Sequence, residues 1–323
     1  MDRRALLQGV GLISLPIIVG GCSKKPVEEL RPRADVAVLT GVIAAEEHLV
    51  ALYEAVRTAH SGLSARLGPL LTHHRAHLSA LRRHYRPGTY STSPSPVPTA
   101  PRPPAVPGQA TRALAALRLA ERQAAAARAK EVERVEPGFA QLLASIGACE
   151  AGHARGAGDR QVSAMSQPDP GSRTPGDGTV DVLQAALAAE HAAVYGYGVL
   201  GALLRTAQQQ TARDIWDAHR AKRDRLSLFI AGYATRPVAS AAAYRLPIRP
   251  TSPATAAQLA AALEDQVVMG YLGLVGAGDP KVRRFAAQAM QEATVRAVRW
   301  LGKGPAVAFP GMTEAAVSPI SRP

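Results

Sequence analysis

Apolar residues recur at steps of three and four along eight stretches of this chain, the period of a helix with one buried face. The first stretch, Asp35 to His60, carries Val36, Ile43 and Val50, with Glu47 on the same stripe. The second, Leu63 to Tyr85, sets Leu67, Leu70, His74, His77 and Leu81 in line. A Pro-rich run from Arg86 to Gly108 follows, which suits neither a helix nor a central strand. Thr111 to Val135 resumes the period with Leu114, Leu117, Glu121 and Ala124, and Pro137-Gly138 breaks it. The fourth stretch, Phe139 to Gly156, places Leu143, Ile146, Glu150 and His153 on one face.

A Pro/Gly/Ser linker at 158–178 then separates a second set of four. Val180 to Gln209 has Leu183, Leu187, Glu190 and Val194, and Thr211 to Tyr233 has Ile215, His219, Lys222 and Leu226. After another Pro-rich connection, Pro253 to Val275 has Ala257, Ala260, Glu264 and Val267, and the last helix runs from Asp279-Pro280 to Leu301 with Phe285, Ala289 and Glu292. The polar residues repeat in register: Glu47-His48 with Glu190-His191, His74-Arg75-Ala76 with His219-Arg220-Ala221, Glu121 with Glu264, and Glu150-Ala151 with Glu292-Ala293. The expected fold is all-α: two tandem four-helix bundles over 35–157 and 179–305, with a tail at 306–323. Each has one long connection between its second and third helices, the ferritin-like topology.

Four polar residues on four apolar stripes suggest a buried constellation in each half. Buried carboxylates are expensive without a cation, and a metal ion offsets that cost. In the first half the candidate ligands are Glu47, His74, His77, Glu121, Glu150 and His153, close to the carboxylate-bridged pattern of one Glu from each of two helices and Glu-x-x-His from the others. Three imidazoles favour Fe, Mn, Zn or Cu over Mg or Ca, as one ion or two. The second half offers Glu190, His219, Lys222, Glu264 and Glu292, with Val295 where the repeat expects His153. It reads as a degenerate, structural copy with no metal. The same residue types can also form metal-free hydrogen-bonded networks that fix bundle register, and both readings stand on the sequence.

Composition refines this picture. Hydrophobic residues make up 47% of the 323 residues but aromatics only 4%, so the core is built from Ala, Leu and Val, which suits close-packed helices. The net charge of +13 is spread as scattered arginines without interleaved aromatics or a nucleic-acid motif, which fits a basic surface near anionic lipid headgroups and argues against nucleic acid. Two cysteines, Cys22 and Cys149, imply no disulfide framework, and Cys149 reads as a small core residue.

Cys22 has a different explanation. Residues 1–22 join a charged start at Arg3-Arg4 to an apolar run from Leu6 to Val19, then Val19-Gly20-Gly21-Cys22. This resembles a bacterial lipobox, with Cys22 lipidated and residues 23–34 as a tether. The Arg3-Arg4 pair also resembles a twin-arginine signal, and a plain secretory signal fits equally. The expected location is extracytoplasmic, anchored to the outer face of the cytoplasmic membrane, with a protein partner or homo-oligomer left open.

Ala189 to Gly198 (AEHAAVYGYG) and Ala243 to Pro247 (AYRLP) resemble a family of ferritin-like domains of unknown function, found in secreted proteins and lipoproteins of high-GC Gram-positive bacteria. The resemblance covers roughly 180–305; the first half joins it only through the repeat. It implies a ferritin-like bundle in the second half and no particular activity. The functional expectation is a lipid-anchored envelope protein whose first bundle holds one or two transition-metal ions for redox or metal handling. The alternative is a non-catalytic, metal-free helical scaffold that binds a partner. No nucleophilic triad, phosphate-binding glycine loop or Cys-x-x-Cys points to other chemistry.

Overall fold

The computed structural model describes residues 34–84, 104–156 and 178–317. The expectations for residues 1–22 and Cys22 lie outside them. Among the described residues the secondary structure is entirely helical: α1 Ala34–Ala59, α2 Ser64–His84, α3 Ala110–Glu131, α4 Pro137–Gly156, α5 Thr179–Gly201, α6 Thr206–Gly232, α7 Pro253–Val275, α8 Pro280–Leu301 and the short α9 Glu314–Val317. The chain is all-α, as its periodicity predicts.

Helix ends are written in local chemistry. Ser252 caps α7 through a reciprocal capping box with Thr255, and Pro253 opens the helix where its missing N–H is harmless. Asp279 accepts from the Lys281 N–H ahead of Pro280 and α8. Gly302 ends α8 in the left-handed region at φ 64°, where a side chain would be strained.

The same neighbours meet in each half. α1 packs on α2 and α3, and α3 on α4; α5 packs on α6 and α7, and α7 on α8. The halves join through α4 against α8. α4 therefore has helices on both sides, which explains why it is apolar nearly all round and buries Leu142, Leu143, Ile146 and Cys149 alike. One hydrophobic core runs from Val42 of α1 through Leu143 and Ile146 of α4 to Leu187, Tyr271 and Met290 of the second half. Two smaller clusters, around Leu67 and Leu117 and around Leu200 and Leu259, fill the rest.

Residues 302–313 leave the end of α8 and cross back over the first half as a strap. Pro305 lies on Gly152 and Gly304 on Gly156, positions of α4 where a Cβ would collide with the strap. Pro310 accepts a hydrogen bond from Ser145 Oγ at 2.9 Å, and the Phe309 ring lies 5.3 Å from that of His77. The first half is thus closed by chain that follows the second.

By length and composition α1 is apolar enough to cross a membrane over Asp35–Ala59. Its buried stripe packs on α2 and α3, the situation of a core helix.

The shared core predicts one cooperative transition. Ile146 is fully buried in it, so Ile146→Ala should destabilise the protein by about 2–5 kcal/mol. Both tryptophans, Trp216 and Trp300, lie in the second half. Their fluorescence should shift to lower denaturant together with far-UV circular dichroism; a fluorescence midpoint unmoved by this first-half substitution would refute a common core.

Candidate metal centre

The α1 stripe that faces inward is Leu39, Val42, Glu46, Leu49, Tyr53 and Val56, all buried. It lies one residue off the stripe expected from sequence. Glu47 is therefore corrected: it is half exposed and pairs with Arg82 at 2.8 Å on the surface. Adjacent helical residues point about 100° apart, so Glu46 enters the core and Glu47 leaves it.

Glu46, from α1, and Glu121, from α3, are bridged by His74 of α2. His74 Nδ1 is 2.9 Å from Glu46 Oε2, and Nε2 is 2.8 Å from Glu121 Oε1. Tyr53 donates its hydroxyl to the same Glu121 oxygen at 2.5 Å. Burial would push His74 down, but the Glu121 and Glu46 carboxylates outweigh it and hold the ring well above the usual histidine range. Burial likewise opposes ionisation of Glu121, yet His74 and His153 bring it down to about 2. Against its own burial, Glu46 is held well below the carboxylate range by His77 and His74.

The second half repeats this network. His219 Nδ1 is 2.7 Å from Glu190 Oε2, and Nε2 is 3.2 Å from Glu264 Oε1. Tyr197 donates to Glu264 at 2.6 Å and Tyr271 to Glu190 at 2.8 Å. The tyrosines were missed in the sequence, although a signal exists: Glu46 and Tyr53 stand seven residues apart, as do Glu190 and Tyr197.

Beyond that common network the halves differ. In the first, His77 Nδ1 faces Glu46 Oε1 at 3.3 Å, while its Nε2 donates to the Ala308 carbonyl of the strap at 2.7 Å. Neither Glu46 Oε1 nor His77 Nδ1 has a hydrogen-bond partner. His153 Nδ1 is 3.2 Å from Glu121 Oε1, and its other nitrogen turns to His73 and Cys149. Three overlapping groups have donor atoms close enough to share an ion: Glu46, His74 and His77; His74, Glu121 and His153; and His73, Cys149 and His153. His73, partly buried, is brought down to about 3 by burial and by His153, so its ring is uncharged at neutral pH. Burial and nearby carboxylates raise the Cys149 thiol. Sequence reasoning assigned neither residue to the centre.

Glu150 is buried as expected but stands apart from these groups. Its nearest charge is Arg128, with Nε 3.5 Å from Oε1. Burial, reinforced by Glu46 and Glu121, raises it well above the carboxylate range despite Arg128.

The second-half residues also need correction. Glu292 is half exposed and forms an ion pair with Lys222 outside the buried network. The expected counterpart of Glu150 is thus on the surface. In its place Arg296 approaches Glu264, with Nη1 3.9 Å from Oε2. Arg296 follows Glu264 in α7–α8 at the interval by which His153 follows Glu121, so it, and not Val295, is the counterpart of His153. Lys222 and Arg296 thus occupy the positions of His77 and His153, with fixed positive charge where the first half has metal-ligand nitrogens.

Fold and centre together define a class: a helical protein with one buried Glu–His–Glu network per half, enlarged by further histidines in the first. Residues 182–314 match a family described as a domain of unknown function (DUF4439). The match takes in α5 to α8 and the strap, and leaves the histidine-rich first half outside. A crystal structure of a conserved hypothetical protein, rv2844, from Mycobacterium tuberculosis is 32% identical, over 40% of this chain and 98% of its own, with a TM-score of 0.38. No curated protein matches the chain. The two segments on which the family resemblance rests touch each other: the Tyr195 and Tyr244 rings are 5.5 Å apart.

The metal-free network sets a pH dependence. Burial disfavours the charged His219 ring, but Glu264 and Glu190 raise it to about 9. Its folded value lies above the unfolded value near 6.5, so its contribution is complete below pH ~6.5 and fades as pH rises through about 9, an effect on the order of 3 kcal/mol. Melting curves from pH 6 to 10 should fall over that window, and His219→Gln should flatten the fall; an NMR titration of His219 near pH 6.5 would contradict the assignment. Tyr53→Phe removes one donor from buried Glu121 and should destabilise by about 1–3 kcal/mol in chemical denaturation, with Tyr197→Phe giving a like effect.

Proposed function

We propose that this chain is a lipid-anchored envelope protein of ferritin-like architecture whose first half binds one divalent transition-metal ion, for redox chemistry or metal handling. The observation that carries the reading is the buried pair Glu46 Oε1 and His77 Nδ1, which face each other at 3.3 Å beside His74 without hydrogen-bond geometry. Orphaned buried polar atoms are costly, and a cation would satisfy both. The donor set is two histidines and one carboxylate, which suits Fe(II) best, with Mn, Zn and Cu as competitors.

The surroundings fit a metal as well. His77 donates its Nε2–H to the Ala308 carbonyl, which in the neutral ring leaves Nδ1 as the lone-pair nitrogen. His74 can keep its Nε2 bond to Glu121 and turn Nδ1 to an ion. When bound, such an ion supplies a redox centre or is itself the cargo. Glu121 and Tyr53 orient His74, and the strap with Phe309 keeps water from His77.

The anchoring part rests on residues 1–22 and Cys22, with the membrane as the partner. A second reading, a metal-free scaffold, is favoured by the second half, where Glu190, His219 and Glu264 close a network without an ion.

Metal analysis of the full chain, expressed with its leader, separates the two. About one equivalent of metal should be retained, lost in Glu46→Ala and His77→Ala, and kept in Glu47→Ala. A metal-free protein whose melting temperature ignores added Fe(II), Mn(II) and Zn(II) would leave the scaffold reading. Cys22→Ser should move the protein from the membrane fraction to the soluble one.

A further inference from the structure

Behind the Glu46 site lies a second cluster of different chemistry. His73 Nδ1, Cys149 Sγ and His153 Nε2 form a triangle with sides of 3.0, 3.4 and 3.5 Å. Cys149 and His153 are four residues apart on α4 and share a face; His73 reaches them from α2. We propose that these three side chains form a three-coordinate site for Cu(I).

Geometry supports the coordination number. The point equidistant from the three atoms lies about 1.9 Å from each, near the reach of metal–nitrogen and metal–sulfur bonds. A small outward shift of the sulfur completes a trigonal site. Zn(II) wants a fourth donor. The cluster holds three donor atoms, and the Val307 carbonyl of the strap stands 3.7 Å from Cys149 Sγ.

The donors select the metal. One thiolate with two imidazoles is a soft set, which suits Cu(I) and excludes Mg and Ca. Charge agrees: Cu(I) enters as a monocation, the Cys149 S–H bond breaks, the proton leaves to solvent, and a neutral Cu–S unit remains in the core. A dication would leave one uncompensated positive charge there.

The outer contacts are built for ligation. His153 Nδ1 donates to Glu121 Oε1 at 3.2 Å, which fixes the tautomer and leaves Nε2 bare toward Cys149 and His73. Pro305 packed on Gly152 covers the same part of α4. The second half has no equivalent: at the intervals that relate the paired helices, Ala218, Glu292 and Arg296 stand where His73, Cys149 and His153 stand. The cluster is specific to the first half and needs none of Glu46, His74 or His77, so it does not depend on the divalent-metal reading.

The test is anaerobic titration of the full chain with Cu(I) against the chromogenic chelator bicinchoninate. A Cys22→Ser background makes Cys149 the sole thiol, since the chain has two cysteines. One equivalent should be withdrawn from the chelator, and X-ray absorption at the copper edge should show one sulfur and two nitrogen neighbours. Cys149→Ser and His153→Ala should weaken binding by roughly 100-fold or more, while the surface variant Glu47→Ala leaves it unchanged. Circular dichroism checks that each variant folds, and the absorption spectrum of the unsubstituted site stands without them. No Cu(I) uptake, a copper site without sulfur, equal affinity in Cys149→Ser, or displacement of Cu(I) by equimolar Zn(II) would each overturn the proposal.

Discussion

Two carboxylates buried in each half of a helical core set the central constraint on this protein. Left alone, such charges would cost several kcal/mol apiece. The chain answers with a histidine on a neighbouring helix whose two nitrogens reach both: His74 between Glu46 and Glu121, His219 between Glu190 and Glu264. Tyrosine hydroxyls take further lone pairs. The network joins three helices in each half, so it fixes their register as well as their charge. The fourth helix is then free to vary, and it is there that the halves diverge most.

That divergence follows one rule. Where the second half sets fixed cations near its network, Lys222 and Arg296, the first half sets His77 and His153. A fixed cation completes the charge balance and ends the chemistry. A histidine leaves a lone pair that can bind an ion. The strap adds to the asymmetry, since it closes over the first half with its carbonyls oriented toward His77, Cys149 and Ser145. The half outside the family match is the one equipped for ligands, and chain beyond the last long helix completes it.

Much of this was legible in the chain itself, and the failures are instructive. The eight long helices follow from periodicity. His74, His77, Glu121 and His153 are buried as the apolar stripes of their helices imply. Glu47 was misplaced for Glu46 because the two acids are adjacent and α1 has partly buried residues on both flanks of its stripe. Glu292 was misplaced because Glu150-Ala151 and Glu292-Ala293 look alike in sequence, while the true pairing of α4 with α8 runs one residue further on, Glu150 with Ala293 and His153 with Arg296. His73 was assigned no role, and Cys149 looked like core filling.

By itself the sequence determined the all-helical architecture, the repeat and the stock of buried acid and imidazole groups, because period and residue type alone dictate which helix faces must leave water. Only the tertiary structure decided which of two adjacent carboxylates turns inward, that Glu150 faces Arg128 and not the histidine groups, and that a cysteine and two histidines from two helices meet at one point. Those outcomes depend on the rotation of each helix about its own axis. That angle is set by packing against neighbours distant in the chain, above all α4 between α3 and α8 and the strap laid across it, and one residue of rotation is enough to exchange a ligand for a surface charge.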